Sequence, residues 1–368
     1  MIYFDNAATS FPKPKSVIQE VKNCITRYCG NPGRSSHRLA LAAADKIFDT
    51  RVAISNFLGY SKCENVIFTP NATYALNLVI KGLITKKCHC IISDLEHNSV
   101  IRPLYKSLLK YGGRLSIFDS DIPPFEAIEP LLESDTEIII STLCSNVTGK
   151  IVDLQGLSEV AKSHNLKLII DASQYAGHKP IKLDGLYYTA LCTAGHKSLF
   201  GIQGSAFVII NDYKLFDTLT EGGSGVDSFS TTMPILLPER YEAGTLSTPA
   251  IASLGAGIAF LNEIGIHEVD RKLSFLTSLL NDELSKIPDI TVYGAENGII
   301  SFNIGNYTSS YISDILDKEG FATRSGFHCS PIIHKKLNTI DRGAVRASLS
   351  YFNSESEIYS FSKTLRKI

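Results

Sequence analysis

"LKLIIDASQ", residues 166–174, is an apolar run that stops on an aspartate. Leu168, Ile169 and Ile170 leave no polar face, the pattern of a strand covered on both sides. The same grammar recurs at "CIIS" (90–93) before "DLEHNS", at "EIIISTL" (137–143) before "CSNVTG", and at "TALCTA" (189–194) before "GHK". "SAFVII" (205–210) is a further buried-strand pattern. Between several of these lie helical patterns: "NATYALNLVIKGL" (71–83), "VIRPLYKSLLKYG" (100–112) and "LQGLSEVAKSHN" (154–165). The alternation predicts an α/β layer fold, a mostly parallel central sheet with helices on both faces. In such sheets ligands bind outside the carboxyl ends of the strands. That geometry places His97, Asn146, Asp171, Gln174, His196 and Lys197 on one shared rim.

Further along, "EGGSGVDSFSTTMP" (221–234) has no apolar period and reads as a long ordered loop. "PAIASLGAGIAFLNEIG" (249–265) begins a helix-rich region, followed by a strand at 298–305, a helix at 311–320 and a strand at 344–350. The expected division is a large domain over 13–249 and a smaller α+β domain made of 1–12 and 250–368.

The chain has 368 residues, enough for that pair of domains, and a formal net charge of −1 with both signs interspersed. Nothing points to a nucleic-acid surface. Lys86-Lys87 and Lys335-Lys336 read as solvated faces. The opening "MIYFDNAATS" lacks a basic and then apolar leader pattern, and no apolar stretch reaches the length of a membrane span. A cytoplasmic protein with no membrane contact is the expectation. Eight cysteines in a chain this long do not make a disulfide scaffold. Cys24 and Cys29 are too far apart for a C-x-x-C pair, and Cys144 and Cys192 read as packed or lining a cleft. On a strand Cys88 and Cys90 share a face while His89 points away. Two thiols are half a zinc site, so no metal is expected.

The rim residues fit one cofactor, pyridoxal phosphate (PLP). PLP needs a lysine for a Schiff base and an acid facing its pyridinium nitrogen. Lys197 and Asp171 supply these types, and Asp171 closes so apolar a run that its carboxylate needs a partner. The phosphate needs N–H groups at a helix start, and "TPNATYALN" offers one, capped by Asn71 or Thr73. A surface lysine and an ordinary N-cap are the bland alternatives. "RSGFHCSP" (324–331) sets Cys329 beside His328 on a tight turn, either as a nucleophile or as a loop residue.

Taken in order, these segments resemble the cysteine desulfurases, in the class V branch of fold-type I PLP enzymes. The resemblance runs from "YFDNAATS" (3–10) through "GNPGRSSHRLA" (30–40), "EHNS" (96–99), "CSNVTG" (144–149), "DASQYAGH" (171–178) and "AGHKSLFG" (194–201). It continues through "RYEAGTLSTP" (240–249) and "RSGFHCSP" to "VRASLSYFN" (345–353), nearly the whole chain. It implies the PLP-dependent transferase fold of type I and a set of roles. Lys197 matches the Schiff-base lysine, Asp171 the pyridinium partner and His97 the histidine stacked on the ring. Asn146 and Gln174 match groups near the phenolic oxygen and substrate, and Thr73 and His196 match phosphate ligands. Gly244 and Thr245 match the segment that reaches the neighbouring subunit's phosphate, which implies a homodimer. Arg346 matches the arginine that clamps the substrate carboxylate, Arg324 the arginine ahead of the cysteine, and Cys329 the sulfur acceptor. Arg324 and His328 are candidate cations beside that thiol.

This sequence departs from the family pattern at four places. Phe327 replaces a histidine, and Ala194 a phosphate-binding serine for which Thr193 or backbone could compensate. Ala72 and Tyr74 replace a threonine and a glutamate of the phosphate loop. The departures suggest a side branch near the short-cysteine-loop group. The implied function is conversion of L-cysteine to L-alanine with a persulfide left on Cys329 for a protein acceptor. The rivals are a selenocysteine lyase or other β-eliminating C–S lyase and, more distantly, a non-catalytic PLP-fold partner protein.

Overall fold

The computed structural model describes residues 1–33 and 35–368; position 34, inside the "GNPGRSSHRLA" motif, lies outside the described residues. The chain opens with β1 (Ile2–Tyr3). Among the described residues seven strands build the central sheet: β2 (Val66–Thr69), β3 (His89–Ser93), β4 (Arg114–Phe118), β5 (Thr136–Thr142), β6 (Lys167–Asp171), β7 (Ala190–Ala194) and β8 (Ala206–Ile210). Their order is β2-β8-β7-β6-β5-β3-β4. β7, β6, β5, β3 and β4 are parallel neighbours, while β8 runs against both β7 and β2. The fold is therefore the expected α/β type, with one reversed strand near an edge.

The apolar runs are explained by burial on both faces. Ile139, Leu168, Ile170 and Ile91 point into one core; Ile138, Ile140, Ile169 and Ile92 point into the other. Alternation along each strand thus feeds two cores at once. α3 (Ala72–Leu83) and α4 (Asn98–Tyr111) cover the second face. The first is covered by α2 (Arg38–Phe57), α5 (Pro124–Ile128), α6 (Leu154–Ser163) and α7 (Thr248–Ile264); α1 (Lys15–Asn23) packs along α7.

A second, four-stranded antiparallel sheet has the order β12-β13-β10-β9: β9 (Ile290–Glu296), β10 (Ile299–Ile304), β12 (Arg324–Gly326) and β13 (Ala344–Ser348). β11 (Phe321–Ala322) pairs in parallel with β1. α8 (Ile266–Leu284), α9 (Ser309–Lys318), α10 (Pro331–Lys336) and α11 (Glu355–Leu365) complete this layer. Phe4, just after β1, packs edge-on against Phe361 of α11 at 5.2 Å, so the first residues sit with the C-terminal layer. Among the described residues no single helix is long and apolar enough to cross a membrane.

Lys336 departs from the sequence reading: far from being a solvated charge, it sits among three carboxylates. Lys86 does lie at the surface, paired with Glu137 at 2.7 Å.

Candidate active site

The carboxyl ends of the parallel strands line up because their registers match: Thr142 lies opposite Asp171, and Asp171 opposite Cys192. The residues at and just beyond those ends border a cleft enclosing about 830 Å³ of empty space, solvent at its mouth included. The structure brings Ala72, Thr73, His97, Asn146, Asp171, Gln174, His196, Lys197, Arg324 and Arg346 to this one cleft.

Lys197 rides on the turn between β7 and β8. The turn is closed by Gly201 N–H donating to Gly195 O (2.9 Å) and Phe200 N–H to Lys197 O (2.9 Å). The N-terminal segment clamps it from outside. Ser10 Oγ donates to Lys197 O at 2.8 Å and Lys13 Nζ to His196 O at 2.8 Å. Burial lowers the Lys197 ammonium to about 8, with Asp171 pulling the other way. A lysine so shifted is still mostly protonated at pH 7, but its free-amine fraction there, about a tenth, is far above that of an ordinary lysine, and the free amine is the form that condenses with an aldehyde.

Asp171 is 5 % exposed. One carboxylate oxygen accepts from Ser173 N–H at 2.9 Å, and the other has no protein donor among the described residues. His97 caps α4, its Nδ1 accepting from Ser99 N–H at 3.0 Å, so its proton sits on Nε2. Burial, and next the Lys197 charge, lower its pKa to about 4, so the ring is neutral at pH 7. Asn71, rather than Thr73, caps α3 by accepting from Tyr74 N–H at 2.8 Å. Thr73 instead shares a hydrogen bond with Ser99 at 2.7 Å, on the cleft wall. A helix leaves its first N–H groups without partners, so α3 presents an anion cradle.

Positive charge enters from the second sheet. Arg324 of β12 lies directly opposite Arg346 of β13. Like charges so placed repel. Asp5 offsets them by accepting from Arg346 Nη2 at 2.8 Å. Arg346 also donates to Asn146 O at 2.9 Å, while its buried Nε has no acceptor among the described residues. With Lys197, Arg324 and Arg346 facing it, the cleft is built for an anionic ligand.

Other predicted residues lie elsewhere. Thr193 is fully buried and turns its hydroxyl toward Ala172 O at 3.4 Å, so it does not stand in for the serine that Ala194 replaces; Ala194 itself lines the cleft. Tyr74 points away, to Thr220. Gly244 and Thr245 lie outside the cleft of their own chain. They follow Glu242, which Arg51 grips through two bonds of 3.0 Å. Cys329 is exposed and does not line the cleft, whereas His328 does. His328 is not the cation expected beside the thiol. Burial, and next Arg346, hold it well below the usual histidine range, and its Nε2 faces Ala344 O at 3.1 Å. Phe327 is half exposed and stands edge-on to His334, ring centres 5.5 Å apart.

The Cys329 turn is held from three directions. Asn146 Nδ2 donates to His328 O at 2.7 Å, Ser330 Oγ donates to Asn146 Oδ1 at 2.6 Å, and Asn98 N–H donates to Cys329 O at 2.7 Å. Asn146 therefore commits its amide to the cysteine turn, while Gln174 donates to Ala7 O at 2.9 Å.

Two contributors were not legible. Asp5 acts across 341 positions on Arg346. Glu96, fully buried, accepts from Thr142 N–H at 2.7 Å and from Ser93. Burial raises its pKa to about 8, so it is a neutral acid tying the β3 exit to the β5 end. Its place inside "EHNS" was the available signal. Cys88 and Cys90 lie 3.8 Å apart, and His89 bonds to Thr136 and Ser116. Among the described residues no group of three or more His, Cys, Asp or Glu could hold a metal.

The residues fit PLP. A buried lysine without an ion pair among the described residues, a carboxylate with a free oxygen, a neutral histidine and a helix start surround one space.

Comparison with known proteins agrees. A family model described as aminotransferase class-V matches residues 2–361. A probable cysteine desulfurase of Methanothermobacter thermautotrophicus is 30% identical, covering 100% of this chain and 94% of the relative. A cysteine desulfurase of Escherichia coli is 27% identical over 100% of this chain and 93% of its own. The apo structure of a cysteine desulfurase from Thermococcus onnurineus superposes with a TM-score of 0.90 at 27% identity, covering 100% of this chain and 94% of that one. This chain therefore belongs to the class V aminotransferase family of PLP-dependent enzymes.

Proposed function

We propose that this protein is a PLP-dependent cysteine desulfurase, turning L-cysteine into L-alanine and retaining the sulfur as a persulfide on Cys329. The observation that carries the reading is the placement of the Cys329 turn. Its backbone is bound to Asn98 and Asn146, at the edge of a cleft holding Lys197 and two arginines.

PLP, when bound, supplies the electron sink that lets the substrate Cα proton leave and weakens the bond from Cβ to sulfur. The chain supplies the rest. Arg346, oriented by Asp5 and Asn146 O, receives the substrate carboxylate, with Arg324 beside it. Asp171 would hold the ring nitrogen through the carboxylate oxygen that Ser173 N–H leaves free. Neutral His97, lining the same cleft with its proton on Nε2, would lie against the ring. Lys197 Nζ, whose lowered pKa makes the free amine accessible, takes the Cα proton and returns it. Cys329 Sγ, as thiolate, attacks the substrate sulfur; a sulfur–sulfur bond forms as the bond from Cβ to sulfur breaks. The electron pair stays with Cβ, which is protonated and leaves as part of alanine.

The homodimer, the protein sulfur acceptor, the cytoplasmic location and the division into domains at 12/13 and 249/250 belong to this proposal. Gly244 and Thr245, which do not line the cleft of their own chain, support the dimer. A second reading, a β-eliminating C–S lyase, draws on the exposed position of Cys329 outside the cleft. Replacing Cys329 by Ala and following alanine, pyruvate and sulfide from L-cysteine separates the two. A desulfurase loses alanine formation; unchanged alanine production overturns the persulfide role, and pyruvate as main product establishes the lyase.

A further inference from the structure

Lys336 ends α10, seven residues after Cys329. Its Nζ lies 2.6 Å from Asp94, 2.5 Å from Asp119 and 2.6 Å from Asp121. Asp94 follows β3 and Asp119 follows β4, neighbouring strands that end in register at Ser93 and Phe118. One side chain of the C-terminal layer is thus tied to two strand ends of the central sheet. The contact is not an ordinary surface pair. The Asp94 side chain is 9 % exposed, and its only other donor among the described residues is Ser120 N–H at 3.2 Å. Removing the cation leaves a nearly buried carboxylate under-compensated. Lys150 also reaches Asp121, so three carboxylates share two cations. Without Lys336 they would repel one another.

The same β3–α4 connection holds the cysteine turn at a second point, where Asn98 N–H meets Cys329 O at 2.7 Å. At this second point the backbone is strained. His328 has φ +48° and Cys329 φ +60°, a left-handed region that side chains other than glycine seldom occupy. Two such residues in succession persist only where surroundings over-determine them.

We propose that Lys336 is a positioning residue: its contact with Asp94, Asp119 and Asp121 latches the Cys329 turn at the cleft mouth and sets the reach of the thiol toward the substrate sulfur. The inference rests on reading Cys329 as the sulfur acceptor. Lys335, its neighbour, has no ion pair among the described residues and serves as the control position.

The test uses full-length, PLP-loaded protein with Lys336→Met, Lys336→Arg and Lys335→Met. Amide hydrogen exchange over 327–337 reads the latch directly, and single-turnover persulfide formation reads its consequence. The latch predicts exchange about fivefold faster and persulfide formation about fivefold slower in Lys336→Met, the scale of one lost charge contact. It also predicts a cysteine KM and PLP dissociation constant within about twofold of wild type, rescue by Lys336→Arg, and no change in Lys335→Met. Wild-type exchange in Lys336→Met overturns the latch. So does faster exchange with an unchanged persulfide rate, or lost PLP binding that arginine fails to restore. Full turnover in Cys329→Ala would instead overturn the acceptor reading, while the exchange measurement judges the latch separately.

Discussion

Lys197 shows how burial prepares a side chain for chemistry. Desolvation disfavours its ammonium, and Asp171 restores only part of the loss. The sign is simple. Below about 8 the amine is protonated and inert toward an aldehyde; above it the amine is free. PLP uptake by the apoprotein should therefore speed up with pH, about tenfold per unit below the midpoint, and level off above it. Following the colour of the bound cofactor in stopped flow from acid to alkaline pH checks this, and a rate flat across that range would contradict it. His97 does not contribute to the rise, because it is already neutral throughout. Cys329 makes the opposite point. Its thiol is exposed, and what the fold controls is the turn that carries it, through Asn98, Asn146 and Ser330.

At the scale of elements, α7 matters because it touches the Lys197 turn. A Cβ on Gly257 would lie 2.1 Å from Leu199 O, and one on Gly177 2.4 Å from Ser198 O. Two glycines thus let a helix and a neighbouring turn press directly on the backbone after Lys197. Gly257→Ala should push that turn away, destabilising the fold by about 1–3 kcal/mol, the usual cost of overpacking. PLP affinity should fall with it, measured by titrating apoprotein; unchanged affinity and an unchanged denaturant midpoint would show that the helix can shift freely. The strand ends behave differently. β3, β5 and β6 each finish on a polar residue because the parallel sheet is covered on both faces and the cleft side is the first wet position; β7 ends on Ala194, and its polar residues, His196 and Lys197, follow in the turn.

For the whole molecule, the segment bearing Gly244 and Thr245 is anchored by a buried pair. Glu242 accepts both Arg51 bonds at 3.0 Å and the Phe68 N–H at 2.7 Å. Arg51→Met should strand that carboxylate and lower stability by about 3–5 kcal/mol, read as a lower denaturant midpoint. Adding Glu242→Leu should recover much of it, since no charge then remains buried; a double variant as weak as the single one would refute this account. The same anchor supports the proposed dimer, because it presents Gly244 away from its own cleft.

Much of this was written along the chain. The runs at 90–93, 137–143, 166–172 and 189–194 specify buried parallel strands by composition alone. Parallel strands share a direction, so the polar residues after each run had to meet at one edge. His97, Asn146, Asp171, His196 and Lys197 were legible for that reason. Asp5 against Arg346, Lys336 against three aspartates, and the loss of charge on His328 were not. A local pattern encodes exposure and periodicity, but a charge names no partner. Whether Lys336 meets water or Asp94, 242 residues upstream, depends on how the C-terminal layer packs against the central sheet. Sequence by itself determined the sheet, its rim and the cofactor chemistry. Only the tertiary structure decided how the cysteine turn is held at that rim, because long-range ion pairs and backbone contacts exist only once the two layers meet.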